Sequence, residues 1–345
     1  MKTLVVDREK NLSVREIPIP VYTEKQALVK TISCGICNGT DGKLIHQKFK
    51  GIKKEQYPLM LGHEAVGEVI AVGSKVKRFH IGDKVLLPFT GENREIYGEL
   101  GSAWGAFSEY GIVDDFEAYE PGKAPDSAYA QTILPKDIDP VDAAVIITLR
   151  EVLSAIYRFG IQQGSKVAVF GCGPVGLTFV KFLKILGAAP VIVFDRHEEK
   201  LQEALEKGAD YAFHTERCNP EEELRKICPH GIEYVIDAAG IPELINQAME
   251  YICDGGKICC YGISSRCSMK IDWEKAPYNW QLQFQQFPDK KEEGKVTEQI
   301  FKWIKAGEIN LKEYISDYFA FDSVLEAFEK LENREIRKKG IVVYS

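Results

Sequence analysis

Two cysteines three residues apart sit in the stretch CGICNGTD, residues 34–41, at the end of an alternating apolar run. The spacing of Cys34 and Cys37 fits a redox pair, half of a zinc finger, or one ligand of a larger site. The strand–CxxC–helix frame of a redox pair is missing here, which leaves Cys34 as a structural thiol. Twenty-six residues beyond Cys37 comes His63, followed by Glu64, in LGHEAVGEVIAVGSKV. A thiolate and an imidazole are good zinc ligands, and a catalytic zinc keeps one position open for substrate or water. A buried thiol and a satisfied core histidine is the plainer alternative for the same pair.

The other stretch with chemistry is VAVFGCGPVG. Gly171, Gly173 and Gly176 have the G-x-G-x-x-G spacing, with Pro174 and Val175 between the last two. The pattern follows a buried strand, opens a helix, and is followed by a second strand ending in Asp195, 19 residues past Gly176. Gly171 allows a tight turn, Gly173 lets the backbone approach a pyrophosphate, and Gly176 lets helix and sheet pack closely. The helix N-terminus supplies amide donors. Asp195 would accept hydrogen bonds from both adenosine ribose hydroxyls and repel a 2′-phosphate, which favours NAD over NADP. Arg196 tempers that preference, since a basic residue there could help a phosphate. A nicotinamide cofactor implies hydride transfer.

Two kinds of chain must position these residues. The first third carries short runs such as ALVKTISCG, AVGEVIAVGS and GDKVLLPF, punctuated by Gly, Pro and Asp about every ten residues. That reads as a barrel-like β domain. From about residue 139 the pattern becomes strand, helix, strand, helix, as in KVAVFG, a helix over 174–186, PVIVFD and EEKLQEALEKGA. Such alternation means a parallel sheet with crossover helices. The 345 residues suit about two domains. The net charge of −7 argues against a nucleic-acid or anionic-membrane partner. Nine cysteines without a repeating framework point to a reducing cytoplasm. The N-terminal apolar run is too short for a signal peptide, and DAAVIITL is far short of a membrane span.

In order along the chain, GIC…TD, GHE…G…VG, GDKV, GAFSEY and GCGPVG resemble the zinc-dependent medium-chain dehydrogenases/reductases, the alcohol, polyol, glucose and threonine dehydrogenases. The resemblance covers essentially the whole chain. It implies an α/β protein with a GroES-like β-rich catalytic domain at 1–148, a Rossmann doubly wound parallel-sheet domain at 149–288, and a return to the catalytic domain at 289–345. It also implies that Cys37 and His63 hold zinc and that Glu64 lies beside the metal and can swing onto it. Thr40 is then the hydroxyl that relays the substrate proton, Asp41 orients His63, and Phe89 falls in the substrate pocket. The implied chemistry is Lewis-acid activation of an alcohol with hydride passing to NAD. Partners would be a small alcohol or ketone and further copies of the chain, as a homodimer or homotetramer.

Three departures stand out. CNGTD has one residue more than the family's usual spacing, so either the loop bulges at Gly39 and restores Thr40, or the relay is displaced. Lys43 or His46 could then complete a proton path. No four-cysteine cluster lies between residues 88 and 110, so the structural zinc lobe is absent and packing, around Trp104, must hold that region. The usual third ligand position is Ile147, which cannot bind metal, whereas Glu151 lies one helical turn later on the same face. Glu151 is therefore a further metal-ligand candidate, or a helix-face charge in a salt bridge. The segment WEKAPYNWQLQFQQFP, rich in aromatics and amides, suits a bulky apolar alcohol such as a hydroxysteroid, or subunit packing. The resemblance alone favours polyols, sugars or amino alcohols. The rival readings are a zinc-free NAD(P)H-dependent reductase of the same fold and a non-catalytic NAD-binding protein.

Overall fold

The strand Gln26–Gly35 organises the first half of the chain. Its inward residues Ala27, Val29 and Thr31 alternate with more exposed ones, and from Ser33 onward both faces are buried. This is the pattern of a strand that leaves the sheet surface and enters a packed site. The structure is a computed structural model and describes every residue except Ser265, Cys267 and Pro288. Contacts divide the chain into two units, Met1–Arg150 with Asp289–Ser345, and Glu151–Pro288. The dividing point falls inside the helix Val145–Phe159.

In the first unit, one edge of Gln26–Gly35 pairs antiparallel with Ala65–Val72. The other edge pairs first with Tyr110–Asp114 and then with Lys339–Val343. Cys34 thus stands opposite both Ala65 and Val342. The pairing carries three remote segments to one point, residues 34–37, 63–65 and 339–342. Two backbone bonds fix them further, Gly35 N–H to the Glu64 carbonyl at 3.0 Å and Ile36 N–H to the Gly340 carbonyl at 2.9 Å. Gly35 is required there, since a Cβ would fall 2.4 Å from Glu64 Oε2.

The expected barrel-like β domain is built from two sheets. The second has the order Leu12–Glu16, Lys2–Val6, Leu59–Met60, Gly101–Ser102. Residues 61–64 link Met60 of this sheet to Ala65 of the first. The link turns at Gly62, which has a φ of +98° and where a Cβ would fall 2.4 Å from Phe107 N, so only glycine fits. A core of Leu4, Leu44, Leu61, Phe107 and Phe328 lies beneath.

The second unit is a six-stranded sheet in which every neighbouring pair is parallel. Numbered 1 to 6 along the chain as Val167–Phe170, Val191–Asp195, Tyr211–His214, Ile232–Asp237, Ile252–Cys260 and Gln281–Phe284, the strands lie in the order 3-2-1-4-5-6. That is the doubly wound dinucleotide-binding order, whose crevice opens where the order reverses, beside strand 1. Helices Pro174–Ile185, Glu198–Glu206, Pro220–Ile227 and Glu243–Met249 link successive strands. The strand Val167–Phe170 is buried on both faces, as a central parallel strand should be. At the other edge, Gln281–Phe284 forms the sixth strand inside the aromatic segment. Trp280 and Leu282 pack on the core, while Tyr278, Phe284 and Phe287 are exposed.

Candidate active site

Cys37 follows the end of strand Gln26–Gly35, and residues 38–40 form a turn into the short helix Asp41–Ile45. The turn is closed reciprocally. Asp41 N–H donates to the Cys37 carbonyl at 2.8 Å, and Asp41 Oδ2 accepts from Cys37 N–H at 2.9 Å. The extra residue in CNGTD is taken up in this turn, with Asn38 and Gly39 exposed and Thr40 buried.

His63 and Glu64 arrive from the inter-sheet link. Among the described residues, Cys37, His63 and Glu64 form a group in which one ligand atom from each lies within 4.8 Å of the others. Tetrahedral zinc ligands would stand ~3.5 Å apart, so a modest contraction brings all three onto one ion. The imidazole is oriented by its surroundings. Nδ1 lies 3.6 Å from Asp41 Oδ1 and Nε2 lies 3.8 Å from Glu64 Oε1. Asp41 Oδ1 and His63 Nδ1 are buried without a hydrogen-bond partner. Burial opposes a charge on His63, yet Asp41 and Cys37 outweigh it and hold the imidazole pKa well above its ordinary value. A buried pocket of thiol and two carboxylates that draws in a proton is one that accepts a cation, so these residues fit a zinc ion. The contracted pair would let Asp41 fix the Nδ1–H tautomer and leave Nε2 free to ligate.

Glu64 is held by two residues that sequence reasoning did not single out. Lys339 Nζ pairs with Oε2, and Thr148 Oγ1 donates to Oε1 at 3.0 Å. Lys339 Nζ also reaches Thr148 Oγ1 at 2.8 Å, which closes a triangle. Burial alone would raise the Glu64 pKa, but Lys339 above all keeps it below the usual carboxylate value. Lys339 was legible as a lysine opening the apolar strand KGIVVYS, where a buried ammonium needs a partner.

In the second unit, Gly171 turns with a φ of +94° directly after strand 1. A Cβ at Gly176 would fall 1.8 Å from the Gly171 carbonyl oxygen, so helix and turn touch there. Gly173 caps the helix Pro174–Ile185, and nothing stands within 4 Å of where its Cβ would be. Val175 lies in the first turn of that helix. Asp195 ends strand 2. Its Oδ2 accepts from Cys172 N–H at 2.6 Å and its Oδ1 from His197 N–H at 3.0 Å, which fixes the carboxylate against the glycine loop. Arg196 is exposed and donates to His197 Nε2 at 3.3 Å. Cys172, its thiol pushed up to about 12 by burial, and Cys34, Cys259 and Cys260 are all buried.

Residues 23–121 match the alcohol dehydrogenase GroES-like domain, and residues 174–285 match the zinc-binding dehydrogenase family. The chain belongs to the zinc-type medium-chain dehydrogenases. The sorbitol dehydrogenase of Bacillus subtilis (strain 168) is 27% identical over 295 residues, covering 79% of this chain and 78% of that protein. The starvation-sensing protein RspB of Escherichia coli (strain K12) is 28% identical over 357 residues, covering 96% of each. The alcohol dehydrogenase TADH from Thermus sp. ATN1 shares the fold with a TM-score of 0.79 at 22% identity, covering 100% of both chains.

The departures of this dehydrogenase from its family now have structural form. Ile147, the position that the resemblance assigns to a third ligand, is fully buried against Leu87, Ala130 and Phe89. Glu151 is not in the Cys37–His63–Glu64 group. Its main-chain carbonyl accepts from Ser154 Oγ at 2.9 Å. The lobe at 90–105 is held without cysteines. Tyr97 and Leu100 pack on Val5 and Met60, and Asn93 caps the helix Arg94–Tyr97. Trp104 lies with its ring 5.4 Å from the His63 ring and 6.2 Å, edge-on, from Phe49. His46 lies 3.5 Å from Glu332 on the surface, and Lys43 is half-buried, its pKa lowered by burial. No helix among the described residues is long and apolar enough to cross a membrane.

Proposed function

We propose that this dehydrogenase moves a hydride between NAD(H) and a secondary alcohol or ketone at a zinc held by Cys37, His63 and Glu64, without Glu151. Its family fixes the coarser activity, oxidoreduction of a CH–OH group on a small molecule. The observation that carries the finer reading is the buried group Cys37–His63–Glu64 with an orphaned Asp41–His63 pair behind it. Zinc bound there supplies a Lewis acid that lowers the alcohol pKa, and the nicotinamide supplies the hydride acceptor. Thr40, buried at the N-terminus of helix Asp41–Ile45, relays the substrate proton, its hydroxyl accepting that proton while it passes its own on toward solvent. Asp41 keeps the His63 proton on Nδ1, and Thr148 with Lys339 positions the Glu64 carboxylate. Sorbitol and threonine, named for two relatives, support a polyol or amino alcohol as substrate. The exposed aromatics flanking the edge strand Gln281–Phe284 support a homo-oligomer.

The test is the zinc content of protein purified without added metal, with a panel of polyols, sugars, amino alcohols and steroids followed by NADH absorbance. About one zinc per chain with NAD-linked turnover is expected. NADH oxidation without zinc would point instead to the metal-free reductase. Glu151→Gln is expected to keep its zinc, and loss of zinc there would return Glu151 to the ligand set.

The same reading assigns cofactor choice to Asp195. Its carboxylate stands beside the glycine loop with both oxygens oriented by backbone N–H groups. Asp195→Ser is expected to lower the ratio of kcat/KM for NAD over NADP by about tenfold or more, since a carboxylate facing a 2′-phosphate is the main term against NADP. A wild-type enzyme that already prefers NADP would overturn the assignment.

A further inference from the structure

Trp104 has a main-chain φ of +66°, in the left-handed region that a bulky side chain rarely enters. Gly105 follows with a φ of +67°, and the pair makes the turn whose Trp104 carbonyl accepts from Thr90 N–H at 2.9 Å. Glycine at both positions would make that turn without strain. The tryptophan instead sets an indole against the imidazole of His63. Strain of this kind, kept beside a metal-ligand candidate, calls for a functional account.

The same side chain borders a cavity of about 550 Å³, which Phe89, Ile52 and Ile112 also line. That volume lies within the range of small-molecule sites, roughly 300–1,000 Å³. Among the described lining residues the charged side chains are Glu92 and Asp114, and none is Lys, Arg or His. Asp114 is already engaged, accepting from Gln26 Nε2 at 2.9 Å and the Tyr119 hydroxyl at 2.6 Å.

We propose that Trp104 separates the metal-ligating side chains from this cavity and so limits how long a substrate the centre takes. A substrate body that enters the cavity is uncharged, because Glu92 is already paired with Arg94 at 3.0 Å and Asp114 is engaged by Gln26 and Tyr119, which leaves no free counter-charge in the lining for an ionic group. The inference rests on the dehydrogenase reading of the centre and adds its specificity-determining residue.

The experiment compares wild type, Trp104→Ala and Trp104→Phe, each zinc-loaded, with NAD and 2-butanol or 2-octanol. Trp104→Ala is expected to raise kcat/KM for 2-octanol relative to 2-butanol by about tenfold or more, the scale at which a pocket discriminates by a few methylenes. Trp104→Phe should stay near wild type. An unchanged octanol-to-butanol ratio in a Trp104→Ala protein that keeps its zinc would overturn the inference. So would loss of zinc or a fall in Tm that Phe rescues, since Trp104 would then be lobe packing only. Absence of wild-type turnover on every alcohol would sink the dehydrogenase reading itself. In that case calorimetric binding of 2-octanone, expected tighter in Trp104→Ala than in wild type, still decides the role of Trp104.

Discussion

Cys37→Ala is expected to reduce bound zinc from about one per chain to background and to lower alcohol turnover by about 10³-fold or more. The loss is large because the centre has few ligands to spare. Ile147, where the resemblance would put a further ligand, is buried in an apolar cluster with Leu87 and Ala130 and offers no donor atom. With Cys37 gone, His63 and Glu64 remain, and Glu64 is already paired with Lys339. A Lewis acid contributes several kcal/mol to stabilising the charge that develops in such reactions, and each 1.36 kcal/mol is a factor of ten in rate. Cys34→Ala is the control. That thiol is buried three residues away, with burial first among the causes that push its pKa far up, and it makes a weak 3.8 Å contact to the Gly35 carbonyl. Its loss should leave zinc in place. NADH binding should also survive in Cys37→Ala, because the glycine loop lies in the other unit. Zinc retained in Cys37→Ala, or turnover within tenfold of wild type, would remove Cys37 from the ligand set.

The strongly periodic parts of this chain could be read before any coordinates. ALVKTISCG and AVGEVIAVGS alternate because each has one face in the core, and the strands Gln26–Gly35 and Ala65–Val72 lie there. The buried runs VAVF and VIVFD, with the glycine motif between them, lie at strands 1 and 2 of the parallel sheet. The elements that escaped reading carry their signal elsewhere. Pro220–Ile227 buries little beyond Leu224, so its apolar period is nearly empty. Its evidence was Asn219 as cap, Pro220 at the first position, and three glutamates leading two cations. Tyr211–His214 and Gln281–Phe284 are edge strands with exposed positions that blur alternation. The strand Lys2–Val6 is buried at four of its five positions, so it shows no alternation.

At the site, types and spacing made Cys37, His63 and the glycine loop visible, because each is a local motif. Thr148 and Lys339 were not visible as partners of Glu64, since they lie 84 and 275 residues away from it. Only the pairing of Gln26–Gly35 with both Ala65–Val72 and Lys339–Val343 brings Lys339 to the carboxylate. Trp104 was foreseen as packing, but its backbone strain and its place beside His63 belong to the fold alone.

The triangle around Glu64 sets up a competition, and Lys339→Met is expected to expose it. Lys339 and Glu64 are both buried, so removing the ammonium takes away the nearer counter-charge and leaves the carboxylate only the His63 imidazole, 3.8 Å from Oε1. Breaking one side of such a pair costs about 3–5 kcal/mol. In metal-free protein Thr148 still donates to Glu64, yet a hydroxyl does not neutralise the charge, and Asp41 adds a second carboxylate to the same pocket. The metal-free variant should therefore lose about 3 kcal/mol of stability. Zinc supplies the missing positive charge, and the released carboxylate can turn fully onto it, so the zinc-loaded variant should lose much less. Linkage then requires that zinc bind more tightly to the variant than to wild type. A difference of about 2 kcal/mol between the two losses is roughly a 30-fold gain in zinc affinity, since 1.4 kcal/mol is tenfold. Denaturant unfolding with chelator and with excess zinc measures the two losses, and chelator competition measures the affinity independently. Lys339→Arg should restore the metal-free stability. Equal losses with and without zinc would show that Lys339 and Glu64 stay paired when the metal is bound. Glu64 would then not be a ligand, and the centre would rest on Cys37 and His63 alone.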